Sequence, residues 1–249
     1  MIVRPDARVP VHLHPSPNIE PRRGGARPDI LLLHYTGMLS GAKAVSWLAD
    51  PRSRVSCHYV VDDDGRITQM VAEGMRAWHT GAGSWEGKGD VNSRSIGIEI
   101  HNPGHDLGYA DFPPVQMQAV TALCRDILER QGIRPHRVLA HSDIAPDRKQ
   151  DPGEKFDWAG LASAGVGHWV QPAAVTPTGA DGDAAAIPHA QRLLADYGYG
   201  IAVTGVADEA TRKVVIAFQR HFRAARVDGV LDASTVDTLE RLMAARGVA

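Results

Sequence analysis

Two apolar runs in this chain each end on a histidine, "ILLLH" at residues 30–34 and "VLAH" at residues 138–141. Runs without polar alternation read as strands buried on both faces. A buried strand fixes the backbone of its last residue, while the side chain there can face a cleft. If the two strands are neighbours, His34 and His141 converge although 107 positions separate them. Ten residues beyond His141 comes Asp151, set between Gln150 and Pro152, with Lys149 just before it.

Two imidazoles and a carboxylate suit zinc, with a fourth position left open for water. The spacing alone is weakly specific, because the chain has 12 histidines and His34 reads equally as a strand-end surface residue. A working site also needs a proton acceptor. In "SIGIEI", residues 95–100, alternation puts Gly97, Glu99 and His101 on one face of a strand. Glu99 there either caps an internal hydrogen bond or takes a proton from a metal-activated water. Lys149 either lies in solvent or donates to a developing oxyanion.

Around these residues the chain alternates strand and helix. "GAKAVSWLAD" predicts a short helix with Ala44, Trp47 and Leu48 on one face. "VSCHYVV" and "RITQMV" predict two strands joined at Asp64-Gly65, a hairpin signal. Val120, Leu123, Ile127 and Leu128 mark an amphipathic helix from Pro114 to Arg130, which Gly132 is placed to stop. After Trp169 the text changes. Residues 171–186 are rich in Ala, Pro and Gly and read as linker. Beyond them two similar turns, "GVADEAT" and "GVLDAST", start 24 residues apart, so that Asp208 and Asp232 each cap a helix. Val214, Phe218 and Phe222 form one buried stripe, and a small bundle of about three helices is expected.

Basic and acidic residues nearly balance, 27 against 29, so no broad basic field points to nucleic acid. No stretch approaches the roughly 20 apolar residues of a membrane span, and the first 25 residues make a poor signal peptide. Cys57 and Cys124 are expected to be two buried thiols rather than a pair.

The blocks "LLLHYTG", "VSCHYVVDDDGRITQMV", "AWHTGAGSW", "NSRSIGIEI" and "LAHSDIAPDRKQDPG" together resemble the zinc-dependent N-acetylmuramoyl-L-alanine amidases, relatives of the peptidoglycan recognition proteins, over roughly residues 28–160. The resemblance implies an α/β fold, a mixed central β-sheet flanked by helices. It implies Zn2+ on His34, His141 and Asp151, with Glu99 and Lys149 as catalytic partners. It also places Trp78 and His79 near the cleft, and gives Asn92 and Arg94 either substrate contact or the ordering of a loop. Some relatives carry a catalytic tyrosine where this chain has Cys57. The chain is therefore similar to the bacterial branch that relies on glutamate and lysine.

"AQRLLADYGYG", "TGVADEATRKVVIAFQRHF" and "VDGVLDASTVDTLERL" resemble a peptidoglycan-binding domain, a second, small all-α three-helix unit. The expected division is an N-terminal extension at 1–27, a catalytic domain at 28–165, a linker at 166–186 and the wall-binding helices at 187–245. The resemblance implies hydrolysis of the amide between the lactyl group of N-acetylmuramic acid and L-alanine, in peptidoglycan or muropeptides, 1,6-anhydro forms included. The rivals are a non-catalytic muropeptide recognition protein and a zinc peptidase acting on the stem peptide. A monomer is expected. A wall-binding domain suits the periplasm or cell envelope, whereas the absence of an export signal suits the cytoplasm.

Overall fold

The computed structural model describes residues 4–175 and 184–246. Its strands are β1 (His12–Leu13), β2 (Ile19–Pro21), β3 (Ile30–Tyr35), β4 (Tyr59–Val61), β5 (Ile67–Gln69), β6 (Met75–Ala77), β7 (Ser95–Ile100) and β8 (Val138–Ala140). Its helices are α1 (Gly41–Ala49), α2 (Val91–Arg94), α3 (Pro114–Gln131), α4 (His141–Ile144), α5 (Trp158–Ser163), α6 (Ile187–Tyr197), α7 (Glu209–Phe222) and α8 (Ala233–Arg246). Six strands form one mixed sheet in the order β1-β5-β4-β7-β3-β8, and β2 pairs with β6 apart from it.

The apolar runs fix this sheet. β3 lies between β7 and β8 and is parallel to both. Leu31 and Leu33 point to one face, where they meet Ile96, Ile98 and the Val120, Leu123 and Ile127 side of α3. Ile30 and Leu32 point to the other face and join Trp85, Leu139 and the apolar sides of α6, α7 and α8. The helices at the end of the chain therefore share a core with the sheet. Both faces of β3 are covered, which is why its sequence shows no polar alternation.

The helix ends follow their sequence signals. Gly132 takes φ 66° and returns its N–H to the Leu128 carbonyl, ending α3. Asp208 accepts from the Thr211 amide at 2.8 Å, and Asp232 accepts from the Thr235 amide at 2.7 Å. Cys57 and Cys124 are free and buried.

Three expectations change. Trp47 does not share the buried face of α1, which consists of Gly41, Ala44 and Leu48; its side chain is 46 % exposed at the rim of a cleft. The expected strands at 55–61 and 66–71 shrink to β4 and β5, because the Met70 and Val71 amides both converge on the His58 carbonyl and end the ladder. His101 lies just past β7 and outside the cleft lining that includes Glu99, with its ring against Thr36 and Asp63. The linker expected at 166–186 lies partly outside the described residues. Its first part is docked, since the Ala173 amide donates to Thr238 and the Ala173 carbonyl accepts from Ser234. Among the described residues no helix is long and apolar enough to cross a membrane.

Candidate metal centre

Parallel strands end at the same edge of a sheet, and here three of them deliver the chemistry. The register pairs His34 with Glu99 across β3 and β7, and Leu33 with Ala140 across β3 and β8. His141, the next residue after Ala140, therefore emerges beside His34. The chain then makes the single turn α4 and comes back, with the Ser142 amide donating to the Asp151 carbonyl at 3.1 Å. His34 Nδ1 lies 2.9 Å from His141 Nδ1 and 3.1 Å from Asp151 Oδ2, and His141 Nδ1 lies 3.0 Å from the same oxygen. All three side chains are buried.

The protons around this triangle can be assigned from its outer partners. His141 Nε2 sits 3.0 Å from the Thr80 carbonyl, an obligate acceptor, so Nε2 carries the hydrogen and Nδ1 is a bare lone pair. The Ser95 hydroxyl donates to the Val91 carbonyl at 2.8 Å, so its oxygen accepts from His79 Nε2 at 3.1 Å. That leaves His79 Nδ1 to accept from His34 Nε2 at 2.9 Å. His34 Nδ1 is then bare as well. Two imidazole lone pairs and an anionic carboxylate oxygen thus face one another with no proton between them. Two donors about 2.0–2.1 Å from a tetrahedral ion are about 3.3 Å apart, close to the separations seen here. The donor set fits a zinc ion, and the outer hydrogen bonds are those that orient metal-bound histidines.

Electrostatics agree with this assignment. Burial, reinforced by His141, pulls the His34 pKa down to about 4, which keeps it neutral near pH 7. Burial and then His34 hold His79 well below the usual histidine range.

Glu99 lies at the edge of the same cleft, a cavity of about 360 Å³ that Trp47, Trp78 and Lys149 also line. Burial, reinforced by Asp151 and partly offset by Lys149, raises the Glu99 pKa well above the usual carboxylate range. Its Oε2 is inaccessible and has no hydrogen-bond partner among the described residues. The Lys149 ammonium has no hydrogen-bond or ion-pair partner among the described residues.

The other expected site residues separate into two groups. Trp78 and His79 reach the cleft lining, although His79 is turned towards His34 and Ser95. Asn92 and Arg94 lie outside it. Asn92 Oδ1 accepts from the His79 and Thr80 amides, both at 3.0 Å, and so orders the loop that carries the Thr80 carbonyl. Arg94 donates to Asp29 at 2.8 Å. Ser95 had no part in the sequence reading. Its one signal was Gly97, a glycine inside a strand, which marks a close approach; a Cβ at Gly97 would run into the His79 ring.

The N-acetylmuramoyl-L-alanine amidase family profile matches residues 24–154, and that of a putative peptidoglycan binding domain matches residues 183–239. AmiD of Escherichia coli, an N-acetylmuramoyl-L-alanine amidase, is 37% identical over 239 residues, 87% of this chain and 83% of AmiD. The chain belongs to the N-acetylmuramoyl-L-alanine amidase family. It is an enzyme of that family with a C-terminal helical extension, and its buried histidine, histidine and aspartate set is consistent with zinc. The 1,6-anhydro-N-acetylmuramyl-L-alanine amidase AmpD of E. coli is 34% identical over 163 residues, covering 58% of this chain and 86% of AmpD. Among solved structures, E. coli AmiD in complex with the substrate anhydro-N-acetylmuramic acid-L-Ala-D-gamma-Glu-L-Lys superposes with a TM-score of 0.77 at 35% identity, over 92% of this chain and 93% of AmiD. AmpDh3 of Pseudomonas aeruginosa gives 0.76 at 33% identity, over 90% and 94%.

Proposed function

We propose that this amidase hydrolyses the amide between the lactyl group of N-acetylmuramic acid and L-alanine, using zinc held by His34, His141 and Asp151. The observation that carries the reading is the convergence of His34 Nδ1, His141 Nδ1 and Asp151 Oδ2 in the cleft that Glu99 and Lys149 also line. When bound there, zinc supplies polarisation of the scissile carbonyl and eases deprotonation of water. Glu99 takes the proton of the attacking water and passes it to the alanine nitrogen as the C–N bond breaks. Lys149 donates to the carbonyl oxygen as it gains negative charge. Trp78 contacts substrate at the cleft wall, while His79 and Asn92 act behind the ligands. Arg94, tied to Asp29, has no substrate role in this scheme.

The anhydromuramyl ligands of AmiD and AmpDh3 support 1,6-anhydro muropeptides as substrates here. The match to a putative peptidoglycan binding domain supports assigning wall attachment to residues 187–245, and a periplasmic or cell-envelope setting with it. Mass-resolved digestion of purified muropeptides and intact peptidoglycan tests the proposal, with zinc-loaded protein, Glu99→Gln and a chelated control. Release of peptides that begin with L-alanine by the zinc-loaded protein alone is expected. Shortened peptides still joined to muramic acid would identify a stem peptidase instead, and tight binding without product would identify a recognition protein.

A further inference from the structure

The turn that carries His141 is held from outside the catalytic domain. α4 has four residues, too few to be stable alone, so its geometry must be imposed by contacts. The residue that imposes it is Asp143, which is 1 % exposed. Its Oδ2 accepts from the Ala140 amide at 2.8 Å and closes the turn immediately before His141. The same carboxylate takes two further hydrogen bonds, and both come from the helical extension. His221 Nδ1 donates to Oδ2 at 2.7 Å, and the Tyr199 hydroxyl donates to Oδ1 at 2.7 Å.

Neither donor is free to drift. The His221 ring is stacked between Trp158, 3.7 Å away, and Phe222, 3.8 Å away. The Tyr199 ring meets Trp85 edge-on at 5.1 Å. One residue before His221, Arg220 donates to Gln150 at 3.1 Å, beside Asp151, and also approaches Glu154. One end of α7 therefore touches the ligand-bearing segment next to both His141 and Asp151. A buried carboxylate that loses two of three donors is left with an uncompensated charge and abandons its geometry.

We propose that His221 and Tyr199 are positioning residues for the metal-binding turn: by hydrogen bonding both oxygens of Asp143, they hold the backbone that aims His141. The inference rests on the zinc reading of the site above. It makes α6–α8 part of the catalytic apparatus, whatever polymer they also bind.

The test uses the full chain and four variants. His221→Leu removes one donor, Tyr199→Phe removes the other with little change of shape, and His221→Asn keeps an N–H close to the place of Nδ1. Glu129→Ala, which breaks the exposed pair with Arg8 away from the cleft lining and outside the helical extension, serves as control. Zinc affinity is read by competition with a chromophoric chelator, alongside kcat, KM and the melting midpoint. His221→Leu is expected to weaken zinc and lower kcat, each about tenfold, with KM within twofold. Tyr199→Phe should move both in the same direction by less, His221→Asn should restore most of the loss, and the control should change neither. If the variants merely melt earlier, with zinc affinity and kcat intact, the proposal is overturned. Should His221→Leu fail to fold, Tyr199→Phe decides the matter. Zinc affinity is measured without substrate, so an inactive parent chain would refute the amidase reading and leave this inference to the metal titration.

Discussion

Ser95 touches none of the three proposed zinc ligands, yet its hydroxyl should govern how tightly the metal is held. In the parent protein its oxygen accepts the His79 Nε2 hydrogen, because its own proton goes to the Val91 carbonyl. In Ser95→Ala that acceptor is gone, and the buried His79 gains by moving its hydrogen to Nδ1. His79 Nδ1 then donates to His34 Nε2, and the hydrogen of His34 moves to Nδ1, the atom that faces the metal. Leaving the buried donor unsatisfied instead costs about 1–3 kcal/mol. Zinc can bind only once the hydrogens are driven back and that donor is left unsatisfied, so it bears a penalty of that size, about 10- to 100-fold in affinity, the usual cost of losing a partner behind a metal ligand. His79→Phe, which removes the His34 partner outright, should cost at least as much. Zinc titration against a competing chelator measures both, and nitrogen-resolved NMR of the imidazoles reads the tautomer directly. A Ser95→Ala protein with zinc affinity within twofold of the parent would refute the proton assignment.

Other consequences can be checked in parallel. Glu99→Gln should retain zinc while kcat falls by about 100- to 10,000-fold, the range of a general base, as seen in single-turnover product analysis. Chelation should lower the melting midpoint, since three lone pairs are then left facing one another, and added zinc should restore it. His58, buried beside Arg22, has its pKa lowered to about 3, against an ordinary 6.5. Its neutral form is thus built into the fold: its share of stability is complete above pH 6.5 and is lost as pH falls from 6.5 towards 3, at up to about 1.4 kcal/mol per pH unit. Urea unfolding at pH 7, 5 and 4 should show that decline, and a flat profile would rule the assignment out.

The parts of the fold legible in the sequence were those with a local signature. β3, β7 and β8 announce themselves as apolar runs because both faces of the sheet are covered, and once they lie parallel, His34, Glu99 and His141 must share one edge. Caps such as Asp208 and the Gly132 stop are equally local. What stayed hidden depends on single side chains meeting across long separations. His221 and Tyr199 lie 78 and 56 positions from Asp143, and neither interrupts the helical or turn pattern around it. His79 read equally as a core histidine or a substrate contact, since nothing in "AWHTG" reveals that its ring would lie against His34 and Ser95. Trp47 misled because helical spacing says which residues share a face, not where the covered face stops.

Ile30 and Leu32 pack on one face of the sheet into the same apolar core as Phe218, Phe222 and Leu242. A binding unit on a slack tether lets its cleft sweep a volume and cut wherever it meets a susceptible bond. Here the helices and the sheet that carries the cleft are joined by one packed core. If α6–α8 attach to the wall as proposed, the cleft reaches only bonds at a set offset and orientation from the point of attachment, and the molecule would work as a ruler.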